Sequence, residues 1–159
     1  AQRSIQVFLF RGNRDVLMNP KDAHRVQAQL VDRILLQGDQ VILFSHGDEY
    51  CLNDFSYQKL RRTLRRPLVR NLLKILPLGV REWIAARMRN HSQEAVGRKP
   101  LDALALDHQA VEKVLEKNAA DLAVIGHLHV ANAHDLGSGK ELTVLAAWTP
   151  GSKPWAYAK

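Results

Sequence analysis

The chain has a single cysteine, Cys51, so no disulfide can form within it. That excludes the disulfide-stapled class of small domains and fits a reducing compartment. Nowhere does an uncharged apolar run reach the eighteen or so residues of a membrane-spanning helix. The first ten residues also lack the apolar stretch of a secretory signal. Acidic residues are in deficit: 16 Asp and Glu stand against 23 Lys and Arg, for a formal charge of +7. Such a balance favours anionic partners, namely phosphates, nucleic acid or an acidic membrane surface. Aromatic residues make up only 6% of the chain. Single-stranded nucleic acid is held largely by stacking on aromatic rings, so their scarcity points away from that partner, and no nucleic acid is expected.

At 159 residues, with 46% hydrophobic, the chain can bury the core of one domain. The basicity belongs to one segment. Between Phe55 and Pro100 lie Lys59, Arg61, Arg62, Arg65, Arg66, Arg70, Lys74, Arg81, Arg87, Arg89, Arg98 and Lys99, against Glu82 and Glu94. The aromatics of that segment are Phe55, Tyr57 and Trp83, and its filler is aliphatic.

Ile5 to Phe10 is a short β-forming run that ends at Gly12. Asn19 and Pro20 predict the start of a short helix over Lys21 to Ala28. Leu30 to Leu36 and Gln40 to Ser45 flank Gly38-Asp39 and predict a hairpin. Asp54 to Arg98 reads as helix in pieces, capped by Asp54 and punctuated by Pro67, Pro77 and Gly79. Leu101 to Asn118 holds a further helix, with Ala110, Val111, Val114 and Leu115 at helical spacing. Leu122 to Ile125 predicts a buried strand. Gly137-Ser138-Gly139 predicts a turn, and Glu141 to Trp148 another strand. Strands alternate with helices, so the fold class is α/β, where ligands gather at the carboxyl ends of strands.

Histidines sit where those strands end. His127 and His129 follow an apolar strand and Gly126. In a regular strand, positions two apart share a face, so both imidazoles could meet metal; the pattern equally describes two histidines at a strand end. His46 follows a second apolar strand, and Asp48 could accept the proton of its other ring nitrogen. Asn13, after Gly12, is a modest oxygen ligand or part of an ordinary turn.

Together, Gly12-Asn13-Arg14-Asp15, His46-Gly47-Asp48 and Gly126-His127-Leu128-His129 resemble the later motifs of the calcineurin-like metallophosphoesterases. Arg14 stands where that family usually has histidine. Gly-Asn-Arg-Asp, His-Gly-Asp and the long basic insert resemble one branch, the UDP-2,3-diacylglucosamine diphosphatases of lipid A synthesis. Cys51, Asp54, Tyr57-Gln58 and Ile84 to Arg89 before Ser92 add to that likeness.

The resemblance implies a four-layer αββα metallophosphoesterase core over residues 1–159, with a helical lid inserted at 55–100. It implies that Asn13, His46 and His127 bind one divalent metal ion and His129 a second, most often Mn2+. Catalytic roles fall to Asn13, Arg14 and His127. Asn13 and Arg14 would meet the diphosphate, while Asp54, Ser92 and Lys99 would contact the glucosamine phosphate and lipid. Asp15 and Asp48 would support the ligands. Val96, Leu128 and Val130 depart from the family pattern. The family's opening Asp-x-His and Gly-Asp-x-x-Glu/Asp motifs do not occur here, so the core is expected to be N-terminally incomplete.

The implied activity is metal-dependent hydrolysis of UDP-2,3-diacylglucosamine to UMP and 2,3-diacylglucosamine 1-phosphate. The implied setting is the cytoplasmic surface of the inner membrane. A related phosphoesterase acting on a soluble nucleotide or phosphodiester, or an inactive fragment or pseudoenzyme, stays open from sequence. The insert reads as an amphipathic lid facing anionic lipid, with Arg61, Arg62, Arg65 and Arg66 toward the membrane; a plain helical cap is the alternative.

Overall fold

In a computed structural model, which describes residues 5–13, 15, 17–98, 105–147 and 149–151 (91–98 as backbone alone), the first apolar run forms β1, Val7–Phe10. It pairs in parallel with β2, Ala28–Val31, as a two-stranded sheet. Between them lies α1, Pro20–His24. Asn19 accepts from the amides of Lys21 and Asp22, and the Asp22 carboxylate accepts from the Asn19 amide. This reciprocal box satisfies amides that a helix start leaves unpaired. The helix ends short of the expected Ala28. Gln27 turns the chain with a left-handed φ of 55°, and Ala28 begins β2.

The expected strand from Leu30 to Leu36 is two strands. It breaks at Asp32, and β3, Arg33–Gln37, joins a different sheet, antiparallel to β4, Val41–Ser45. One apolar run thus serves two sheets, and the division falls at Asp32, where charged residues interrupt it. The hairpin around Gly38-Asp39 forms as expected.

The second sheet has five strands in the order β3-β4-β5-β7-β6, where β5 is Leu122–Ile125, β6 is Asn132–Gly137 and β7 is Lys140–Val144. Strands β4, β5 and β7 are parallel, with Ser45 level with Ile125 and Ile125 level with Val144. The carboxyl ends of β4 and β5 therefore lie side by side. Edge strand β6 escaped the sequence reading because Asn132, His134 and Asp135 break any apolar alternation. The turn at 137–139 forms, all three residues having positive φ. The expected strand from Glu141 ends at Val144, and Trp148 lies outside the described residues.

Asp107 caps α5, His108–Lys117, by accepting from the Ala110 amide. The expected helix began at Leu101; residues 101–104 lie outside the described set. Val111 and Leu115 of α5 pack on Leu43, Ala123, Ile125, Leu142 and Val144. The opposite sheet face buries Ile42, Leu122 and Val124. Strand β5 is buried on both faces, which is why Leu122–Ile125 is continuously apolar.

The basic segment forms three helices: α2, Phe55–Leu64, α3, Pro67–Ile75, and α4, Leu78–Arg98. Pro67 opens α3, where a missing amide costs nothing. Helix α3 buries no residue. Leu68, Leu72 and Ile75, spaced four and three apart, form one stripe that is 84%, 62% and 80% exposed. Leu78 and Trp83 of α4 are also exposed. Among the described residues no helix is long and apolar enough to cross a membrane.

These two kinds of apolar position should respond differently to truncation. Leu115→Ala opens a cavity in a closed core and should cost about 2–5 kcal/mol. Leu72→Ala should change stability by less than about 0.5 kcal/mol, as an exposed site does. Urea unfolding of both variants measures the contrast; comparable losses would mean that the α3 stripe is covered.

Candidate metal centre

The centre is assembled where β1, β4 and β5 end. His46 follows β4 directly, and Gly47 takes a φ of 98° against β5. A Cβ at Gly47 would stand 3.0 Å from the Ile125 Cβ, so glycine is needed for both reasons. The chain then enters a 3-10 turn, Asp48–Tyr50, and Asp48 is fully buried.

The Asp48 carboxylate organises the neighbourhood. Its Oδ1 lies 3.1 Å from His46 Nδ1. Its Oδ2 accepts from Tyr57 Oη and Arg61 Nε, each at 2.7 Å, with Arg65 Nη2 3.5 Å from both oxygens. Gln58 Nε2 donates to the Asp48 carbonyl at 2.8 Å and to that of Cys51 at 3.1 Å. Burial pushes the Asp48 carboxyl up, but hydrogen bonds to His46 and Tyr57 and the charges of Arg61 and Arg65 overcome it and hold the group far below the usual carboxylate range. Burial, followed by the Asp48 charge, raises Tyr57, so it remains a donor. Burial also pushes the Cys51 thiol up to about 11, which leaves it unreactive.

An ionised carboxylate only accepts, so His46 Nδ1 carries the proton of that bond and Nε2 is the ring nitrogen turned away from Asp48. A Cβ at Gly12 would lie 2.7 Å from that Nε2. The Gly12-Asn13 loop after β1 therefore runs against the Nε2 edge of His46, and only glycine permits the approach. Arg65 Nη2 donates to the Arg11 carbonyl at 3.3 Å, and Arg11 pairs with Asp32 at 2.9 Å, fixing the loop's base.

His127, after β5, has its ring centroid 5.2 Å from that of His46, tilted by 59°. The same ring stacks on Tyr57 at 5.9 Å and 28°. Burial, then the neighbouring His46, lowers its pKa to about 4, and His129 adds to the effect. The ring is therefore neutral near pH 7, the form in which imidazole ligates a metal. His127 and His129 do not share the face of a strand. The segment past Ile125 is irregular, with left-handed φ of 65° and 61° at the two histidines. That conformation is uncommon outside glycine, tolerated by histidine better than by bulky residues. His129 is exposed, and its carbonyl accepts from the Ala147 amide.

An ion at this end of the sheet could draw on His46, held by a buried carboxylate, on the neutral ring of His127, and on Asn13, which is exposed on the loop after β1. Among the described residues, no three His, Cys, Asp or Glu side chains converge as one metal-binding group. Asp15 is exposed, with Oδ2 3.4 Å from the Gly12 Cβ position. Asp54 is buried and caps α2, its Oδ1 accepting from the Tyr57 amide and Ser56 Oγ. Arg14, Lys99 and the side chain of Ser92 lie outside the described residues. His134, on β6, pairs with His108 of α5, ring centroids 4.5 Å apart.

No family model matches the chain. Curated proteins do. A UDP-2,3-diacylglucosamine hydrolase of Stutzerimonas stutzeri is 31% identical over 154 residues, covering 93% of this chain and 64% of that protein. Proteins of the same name from Escherichia fergusonii and Escherichia coli are 33% identical with the same coverage. This chain is related to the UDP-2,3-diacylglucosamine hydrolases. It spans 64% of the length of these relatives. The kinship with UDP-2,3-diacylglucosamine hydrolases agrees with the branch that Gly12 to Asp15, His46 to Asp48 and the basic insert resemble.

Sequence reasoning misjudged two arginines. Arg61 and Arg65 do not face outward with Arg62 and Arg66; they turn inward onto Asp48, and only Arg62 and Arg66 are exposed. The signal was present. Tyr57, Arg61 and Arg65 are spaced four apart, one helical face, but a charge run is read by its sum rather than by its face.

Asp48 and Asp54 should therefore separate in stability. Asp48→Ala strands Arg61 and Arg65 beside a buried site and should cost roughly 3 kcal/mol or more. Asp54→Ala loses a helix cap, worth about 1 kcal/mol. Denaturant titration ranks them, and a reversed order would overturn the central place given to Asp48.

Proposed function

We propose that this chain carries the metal-binding half of a hydrolase that splits the diphosphate of UDP-2,3-diacylglucosamine into UMP and 2,3-diacylglucosamine 1-phosphate. The reading places it in a four-layer αββα core with a dinuclear centre. One observation carries it: His46, its Nδ1 held by Asp48, turns Nε2 toward the Asn13 loop beside the neutral ring of His127. The kinship with hydrolases of that name supports the substrate.

Two divalent ions, preferentially Mn2+, would supply a nucleophile at neutral pH and neutralise charge on the diphosphate. The chain's residues hold and orient. Asn13, His46 and His127 take one ion and His129 contributes to the other. Arg14 cannot act as an acid because its guanidinium keeps its proton. Its fork suits phosphate oxygens instead. The leaving group is itself a phosphate with a second pKa of about 6, so it departs without strong acid assistance. Asp54, Ser92 and Lys99 serve the sugar phosphate and lipid end.

The insert supports the lipid part of the reading. The Leu68, Leu72 and Ile75 stripe lies exposed on the same segment as the exposed cations Arg62, Arg66 and Lys74. Aliphatic insertion and attraction to anionic headgroups would act together at the cytoplasmic face of the inner membrane.

Two measurements test this. In Mn2+-dependent UMP release by an intact version that also carries the Asp-x-His and Gly-Asp-x-x-Glu/Asp motifs, His127→Ala should lose more than the roughly 10–100-fold seen for residues behind a metal ligand, whereas His134→Ala should keep most activity. Equal losses in folded variants would remove His127 from the centre. In vesicle co-sedimentation, reversing Arg62, Arg66 and Lys74 should weaken binding to anionic vesicles by about 1 kcal/mol per residue. Raising salt should weaken binding of the unmodified protein without abolishing it. Undiminished binding of the reversed variant would make the insert a structural cap.

A further inference from the structure

The insert's first helix reaches further than its surface suggests. Asp48 Oδ2 is taken by Tyr57 and Arg61 of α2 at 2.7 Å each, which leaves Oδ1 for His46 Nδ1. The same Tyr57 ring lies against His127. Gln58 ties α2 to the Asp48 and Cys51 carbonyls from behind. We infer that Tyr57 and Arg61 are positioning residues for His46, acting through Asp48, so that the seating of α2 and the metal affinity of the centre are coupled. This rests on the metal reading above.

The physical argument concerns what Asp48 would do without α2. A carboxylate with no exposure needs hydrogen-bond donors on both oxygens. Deprived of the Tyr57 hydroxyl or the Arg61 guanidinium on Oδ2, it rotates toward another donor. That rotation loosens its hold on His46 Nδ1. The imidazole then samples the other tautomer, with the proton on Nε2, where no lone pair faces the Asn13 loop. Residues of this kind shift metal affinity without touching the ion. The coupling is reciprocal, so a bound ion would also favour the seated helix.

The tautomer and the affinity can be read separately. Long-range 1H–15N spectra of the metal-free protein should show His46 protonated on Nδ1. In Tyr57→Phe and Arg61→Met the two tautomers should mix. Mn2+ titration by calorimetry should show each variant weakened by roughly 10-fold. Arg61→Lys, which keeps the charge, should recover part of the loss, and Thr63→Ala, on the exposed side of α2, should match the unmodified protein. Thermal unfolding confirms that each variant is folded at the titration temperature. Tyr57→Phe removes one oxygen and keeps the experiment decisive if Arg61→Met fails to fold. Unchanged tautomer and unchanged affinity in folded variants would overturn the inference and leave the metal reading standing. A protein that binds no Mn2+ at all would overturn both.

Discussion

Asp48 is a fully buried carboxylate that remains ionised, and the surrounding structure is arranged around that requirement. Taking a charge out of water costs several kcal/mol unless it is paired and hydrogen-bonded. Here the compensation comes from three directions: His46 on the strand side, Tyr57 and Arg61 on the helix side, and Arg65, which also reaches the Arg11 carbonyl of the first loop. The carboxylate thus joins β4, α2 and the loop after β1. Removing any one partner weakens the reason for the others to be where they are.

The second constraint is the sheet. Parallel pairing of β4 with β5 in level register puts the residues after Ser45 and Ile125 next to each other. His46 and His127 are far apart in the chain, and neighbours because two strands end together. Past β5 the chain leaves the ladder at once, and left-handed φ at His127 and His129 shapes a tight irregular loop. Backbone strain at two histidines, one of them the perturbed imidazole of His127, is where functional sites concentrate.

The insert faces two ways. One side of α2 supplies Tyr57, Gln58, Arg61 and Arg65 to the centre, whereas α3 turns a bare aliphatic stripe to solvent. The twelve basic residues of the segment therefore have different jobs. Arg61 and Arg65 neutralise a buried anion, Arg70 Nη2 donates to the Met18 carbonyl, and exposed cations such as Arg62, Arg66 and Lys74 are left for whatever lies outside.

The sequence by itself determined much of this. The strand before His46, the buried strand before Gly126, the Asn19 box, the Asp54 cap and the breaks at Pro67 and Pro77 were all legible, because each is set by residues within a few positions of one another. So was the kinship, which rests on short motifs in order. Tertiary structure alone decided the rest. It divided Leu30 to Leu36 between two sheets at Asp32, made a strand of the polar run from Asn132, and placed His127 and His129 off the ladder. It also turned Arg61 and Arg65 inward. A charged side chain goes where its free energy is lowest, and that depends on an anion thirteen or more residues away in the chain. Local spacing states which residues can share a face; only the packed fold states what that face meets.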